Sequence, residues 1–230
     1  MILAGRVLVN EQKIDKSGAN VETDAALRLL GEDLKYVGRG GLKLDAALHH
    51  WNIDLNGRSC MDVGASTGGF TDCMLQHGAA EVIAIDTGYG QIAATLRIDP
   101  RVKLLERTNA RYLTEEQLRP AGGSAHISFI AMDVSFISVT LVLPAVFDAV
   151  FAASQEQNRE MVVLIKPQFE VGRELVGKGG IVKDERAREM AILKVYKAVE
   201  VLGGQDIEVI DSPITGMEGN REFLLHSRFS

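Results

Sequence analysis

From Cys60 onward the chain alternates short apolar runs with longer amphipathic stretches. Apolar runs of strand length fall at 60–63, 81–86, 102–106, 127–133 and 161–166. Helical spacing of apolar positions lies between them, near 70–77, 89–97, 114–119 and 139–153. Repeated strand-then-helix units predict a parallel sheet with helices on both faces. A long helix is predicted at about 183–202, opened by Lys183-Asp184-Glu185 and closed by Gly203-Gly204. The end breaks the alternation. Strand-like runs at 206–212 and 222–229 flank Pro213 to Asn220, which predicts an antiparallel terminal hairpin on the parallel sheet. Before Cys60, Tyr36 to Leu48 reads as a glycine-rich turn opening a helix, with Leu44, Ala47 and Leu48 on its apolar face. Residues 1–35 have a different pattern, short antiparallel strands around 4–10 and 11–14 joined by polar turns. The reading is an α/β chain with a small appendage at 1–35 and a main domain at 36–230.

Composition narrows the class. The 230 residues are 46% hydrophobic, enough for one sizeable core and a small extra unit. A formal net charge of −6 excludes a nucleic-acid binder that uses its whole surface, and leaves room for a local basic patch. Cys60 and Cys73 flank a glycine-rich turn, without a recognisable set of ligand-spaced histidines beside them. Reduced buried thiols are expected, with no disulfide framework and no metal site. Met1 leads quickly to Arg6, so no signal peptide is read. Ser138 to Ala153 is shorter than a bilayer span and is interrupted by Pro144 and Asp148, so it is expected to be a buried helix of a cytoplasmic protein.

The candidate chemistry centres on Met61 to Asp72: a strand end, a Gly/Ser/Thr-rich turn and a helix start. Such a turn lets a backbone approach a nucleotide-like cofactor closely. Asp62 before the first glycine would repel a pyrophosphate. S-adenosylmethionine, with an amino-acid end and a sulfonium, suits it better. Asp62, Gly64, Ala65, Ser66, Thr67, Gly68, Gly69 and Phe70 are the candidate cofactor residues. The plainer alternative is an ordinary strand-to-helix turn.

Ligands of open α/β sheets sit at the carboxyl ends of the strands. Asp86 ends the second run, where an acidic residue would take ribose hydroxyls, and Asn109 follows the third. Asp133 and Lys166 end the fourth and fifth. Both emerge from apolar runs, where an unpaired charge is costly, so an ion pair is expected. That pair is either a structural salt bridge or the seat of a general base at Lys166. Glu222 opens the last strand-like run and is preferred over nearby Glu218 as an orienting group. Arg39 and Lys43 sit at the start of a helix, where cations are disfavoured by the dipole. That placement points to an outside anion or a catalytic partner.

Five blocks together resemble the TlyA-type, hemolysin-like members of the FtsJ group of RNA ribose methyltransferases. They are Gly38 to Leu44, Asp62 to Thr71, Met132 to Ser138, Lys166 to Glu170 and Gly219 to Phe223. The resemblance implies a Rossmann-like methyltransferase fold, S-adenosylmethionine as donor, and 2′-O-methylation of cytidine in ribosomal RNA. The group's Lys-Asp-Lys-Glu tetrad falls on Lys43, Asp133, Lys166 and Glu222. It implies that Asn109 lies near the adenine. Ala4 to Asn10 resembles part of the C-terminal half of an S4 RNA-binding domain, without the helical hairpin that opens such a domain. Lys35, Arg39 and Lys43, with Arg6, Lys13 and Lys16, are expected to face RNA phosphates. Two competing readings are a membrane-active hemolysin and an RNA-binding protein with an inactive methyltransferase core.

Overall fold

The computed structural model describes residues 7–10, 12–14, 16, 18–23, 25–29, 35–123, 126–151, 159–216 and 219–229. Arg6, Glu218 and the Lys13 side chain lie outside the described residues. The chain divides into two units, Met1–Lys35 and Tyr36–Ser230.

In the first unit, β1 (Val7–Val9) pairs with β2 (Gln12–Ile14) and with β3 (Leu27–Leu29), all antiparallel. Sequence reading anticipated the first two strands and missed the third, which is only three residues long. Asn10 pins it. Its side-chain oxygen accepts from the Ala26 N–H at 2.9 Å, and its own N–H donates to the Ala26 carbonyl at 2.9 Å.

The second unit opens with α1 (Gly40–His50), β4 (Ser59–Val63), α2 (Gly69–Gln76) and β5 (Glu81–Ile85). Next come α3 (Ala94–Arg97), β6 (Val102–Leu105), α4 (Glu115–Leu118) and β7 (Ile127–Met132). It continues with α5 (Leu143–Val150), β8 (Arg159–Ile165), α6 (Pro167–Glu170) and α7 (Glu185–Val201), and ends with β9 (Gln205–Asp211) and β10 (Phe223–Phe229). The sheet order is β6-β5-β4-β7-β8-β10-β9. The first five strands in that order are parallel, and β10 is antiparallel to both its neighbours. The terminal hairpin is therefore present as expected.

Two helices are shorter than their patterns. Within 89–97 only α3 is helical. Within 139–153, a 3₁₀ turn at Val139–Leu141 precedes α5. Pro144 sits in the first turn of α5, where its missing N–H breaks no helical bond, so it starts that helix rather than interrupting it.

Strand alternation sorts the core into two faces. Met61, Val63, Ile83, Ile85, Ile130 and Val163 join the cluster that holds α5 and α7. Cys60, Val82, Ala84, Phe129 and Val162 join the cluster that holds α1 and α2. Each fully buried aliphatic side chain contributes about 1.5–3 kcal/mol relative to exposure. At the amino end of the strands, Arg58 bonds Glu160 at 2.5 Å and Ser128, while His226 meets Glu160 at 3.1 Å and stacks on Trp51. This leaves the carboxyl ends, at Val63, Ile85, Met132 and Ile165, free to carry chemistry.

Candidate active site

The loop after β4 is built on left-handed glycines. Gly64 has φ +91°, and a Cβ there would run into the Asp133 carbonyl. Only glycine meets both conditions. Gly68, at φ +94°, lies against Leu96 and Ile92 and precedes the first residue of α2. Asp86 latches the loop. Its carboxylate accepts from the Ser66 N–H at 2.8 Å and from the Gly88 N–H at 2.6 Å.

Asp62 supports the loop from beneath. It is fully buried, and its Oδ2 accepts from the Thr71 N–H at 2.8 Å and the Thr71 hydroxyl at 2.6 Å. Its Oδ1 is buried without a hydrogen-bond partner among the described residues. Burial pushes this carboxyl up to about 7, Asp133 and Asp86 add to the push, and the two Thr71 bonds oppose it. Burial also pushes the Cys60 thiol up to about 12, and Cys73 is buried as well.

The glycine turn before α1 packs onto this loop backbone against backbone. A Cβ at Gly38 would meet the Thr67 hydroxyl at 2.7 Å, and one at Gly69 would meet the Gly41 nitrogen at 2.9 Å. Val37 N–H donates to Asp72 at 2.8 Å. That contact brings α1 and its Lys43 beside the loop. Lys43 is 8% exposed, and its Nζ meets Glu222 Oε2 at 2.5 Å. The expectation that Lys43 faces RNA phosphates is therefore corrected: it is withdrawn into a buried ion pair. Arg39, one residue before α1, remains exposed.

Lys166 follows β8, and Pro167 turns the chain sharply into α6. Its Nζ lies 2.5 Å from Asp133 Oδ1 as an ion pair, and its aligned hydrogen bond goes to the Ser135 hydroxyl at 2.6 Å. The expected Asp133–Lys166 pair is present. A network missed by sequence reading joins the two loops that carry it. Buried Glu170 accepts from the Val139 N–H at 2.7 Å and from the Ser138 hydroxyl at 2.5 Å. Lys194 of α7 bonds the Glu170 carbonyl at 2.8 Å and Ser138 at 3.1 Å. Asn220 is also buried, and it ties Val182 and Gly180 to the turn before β10. The available signal was weak: an acid four places past Lys166 and an amide two places before Glu222.

Two cavities meet at these strand ends. The larger, about 530 Å³, is lined by Lys43, Asp133, Lys166 and Glu222 together with Gly64 to Thr67, Gly69 and Phe70. Arg39, Phe136 and Phe169 also line it. The smaller, about 280 Å³, is lined by Asp86, Asn109, Thr87 and Thr108. Gly64, Ser66, Asp133, Ser135 and Phe136 belong to both. Asp62 and Gly68 line neither, so they act through the loop. Asn109 accepts from the Arg111 N–H at 3.1 Å and caps the short turn after β6. Phe136 is 92% exposed at φ +64°, with its ring 5.5 Å from that of Phe169.

A seven-stranded sheet of this order, with a glycine loop at its crest and a terminal antiparallel pair, defines the methyltransferase class of α/β folds. The chain belongs to the FtsJ-like methyltransferase family, whose model matches residues 36–229. It is 43% identical over 229 residues to the 16S/23S rRNA (cytidine-2'-O)-methyltransferase TlyA of Mycobacterium tuberculosis, covering 99% of this chain and 82% of that one. It is 38% identical to Hemolysin A of Brachyspira hyodysenteriae, covering 98% of this chain and 90% of that one. The crystal structure of a hemolysin candidate from Lactococcus lactis superposes with a TM-score of 0.78 at 44% identity, covering 86% of this chain and 90% of that one.

Proposed function

We propose that this protein transfers a methyl group from S-adenosylmethionine to the 2′-hydroxyl of cytidine in ribosomal RNA. One observation carries the reading. Two lysine–carboxylate pairs, Lys43–Glu222 and Lys166–Asp133, line the same cavity as the glycine loop. The fit of the cofactor rests on the donor set. Asp86 and Asp133 flank the smaller cavity, an arrangement that disfavours a phosphate and suits a sulfonium and ribose hydroxyls. The loop from Gly64 to Phe70 would hold the methionine part, Asp86 the ribose, and Asn109 the neighbourhood of the adenine. When bound, S-adenosylmethionine supplies an electrophilic methyl group on a sulfonium.

The rest is placement of charge and protons. Lys166 removes or steers the proton of the 2′-hydroxyl as the oxygen attacks the methyl carbon. Asp133 and Ser135 hold the lysine end in place. Lys43 stabilises the ribose oxygen, and Glu222 holds Lys43. The first unit, with its S4-like wording, and exposed Arg39 at the cavity rim would meet RNA phosphates.

The test is methyl transfer from labelled S-adenosylmethionine to isolated ribosomal subunits, with nucleoside analysis of the product and Lys166→Ala alongside. Label in 2′-O-methylcytidine that disappears in the variant, with cofactor binding kept, supports the assignment. Full transfer by Lys166→Ala removes the role given to that lysine. Absence of transfer, with leakage of liposomes by pure protein, favours the hemolysin reading. Among the described residues no helix is long and apolar enough to cross a membrane.

A further inference from the structure

Where α1 packs beside α2, Asp45, His49 and His77, which line neither of the two cavities, bring one ligand-type atom each within 4.8 Å of one another. Asp45 and His49 are four residues apart on α1, so they share a helix face. His77 closes the end of α2, which packs beside α1. The Asp45 carboxylate is the focus. Its Oδ1 lies 2.8 Å from His77 Nε2 and 3.4 Å from His49 Nδ1, and it accepts from the Tyr36 hydroxyl at 2.8 Å. The two imidazoles stand edge to face with ring centroids 5.4 Å apart.

We propose that Asp45, His49 and His77 form a binding site for a divalent transition ion of the zinc class. Zinc bonds to nitrogen and carboxylate oxygen are about 2.0–2.2 Å, which sets tetrahedral ligand atoms roughly 3.3 Å apart. Asp45 Oδ1 lies close to that distance from both imidazole nitrogens, and a bound ion would replace the hydrogen bond that His49 Nδ1 makes to the Asp45 carbonyl at 2.7 Å. Two imidazoles and one carboxylate favour zinc, cobalt or nickel over magnesium and calcium, which prefer all-oxygen shells. Tyr36 supplies the outer hydrogen bond that orients a ligating carboxylate. The His49 side chain is 66% exposed, which gives the ion a path and leaves the remaining position to water. Asp45 lies two residues past Lys43, so a bound ion would lock the helix carrying that lysine against α2.

The probes are Zn²⁺ and Co²⁺ alone, added to the full chain. Calorimetry is expected to give one Zn²⁺ per chain, with a higher Tm in the loaded protein. Asp45→Asn and His77→Ala are expected to weaken binding by at least about tenfold. His49→Ala, at an exposed side chain, keeps the fold and is expected to weaken binding as well, so a folding failure of the other two does not decide the matter. No Zn²⁺ binding, or binding unchanged in His49→Ala, overturns the site. So does a thiolate-to-cobalt absorption band, which would place the ion on a cysteine.

Discussion

Lys43 and Glu222 are 179 residues apart in the chain, yet Lys43 Nζ and Glu222 Oε2 meet at 2.5 Å. Both side chains are almost wholly buried. Removing one partner of such a pair leaves an uncompensated charge and typically costs about 3–5 kcal/mol. Lys43→Met is expected to show that loss in denaturant unfolding. The double variant Lys43→Met with Glu222→Gln is expected to recover most of the stability and none of the methyl transfer. Recovery of transfer would assign the pair a structural role only.

Glu170 connects the Ser138 loop to the segment that begins at Lys166. Glu170→Ala removes both bonds and leaves the Val139 N–H unpaired. Transfer by this variant is expected to fall about tenfold in kcat, since sub-ångström displacement of positioned groups carries penalties of that order or more. Cofactor affinity is expected to stay near the parent value, because Glu170 lines neither cavity. Glu170→Gln, which keeps an acceptor, is expected to retain more activity. Equal loss in both variants would point to the charge rather than the bonds.

Asp62 makes stability depend on pH. Its folded value of about 7 stands above the ordinary aspartate value of 3.8, so the folded protein holds a proton that the unfolded chain has released in between. The contribution is full below about pH 4 and is lost as pH rises through about 7. Chemical denaturation across that range is expected to show a decline of a few kcal/mol from this group. Asp62→Asn is expected to flatten it. An unchanged slope in the variant would remove Asp62 as its source.

Glu160 works in the opposite direction. Burial raises its carboxyl, but the hydrogen bonds from His226 and Arg58 outweigh burial and hold it at about 2. Its contribution is present above the ordinary carboxylate range and is lost as pH falls toward 2. Glu160→Gln is expected to lower stability at neutral pH and to reduce the acid sensitivity of unfolding. Parent and variant curves that stay parallel into acid would refute this.

Gly64→Ala tests the loop. The new methyl group would strike the Asp133 carbonyl, and the left-handed backbone adds its own strain. A loss of about 1–3 kcal/mol is expected, together with weaker S-adenosylmethionine binding by calorimetry. Unchanged binding would mean that the loop does not approach the cofactor closely.

Much of this molecule was readable along the chain. The strand runs, the long helix and the terminal hairpin are local patterns, with a period of two or 3.6, and each appeared within a residue or two of its predicted place. The polar groups that end those runs were readable for the same reason, because strand ends in a parallel sheet share one rim. Asp133 and Lys166 met because β7 and β8 are neighbours. Other features required the folded chain. Nothing local separates Lys43, buried against Glu222, from Arg39, exposed four residues earlier. That difference arises when the two glycine turns pack together and carry α1 inward. Asp62 lines neither cavity and bonds Thr71, whereas Asp86 and Asn109 line the smaller one; the bonds that set these two, to the Ser66 and Gly88 N–H groups and to the Arg111 N–H, emerge only in the folded chain. Glu170 was hidden because its partners come from a distant segment, and the Asp45–His49 pair on α1 became a cluster only when His77 at the end of α2 joined it. Sequence period determines which face a side chain takes. Only long-range packing decides which charges lose their water and must find one another.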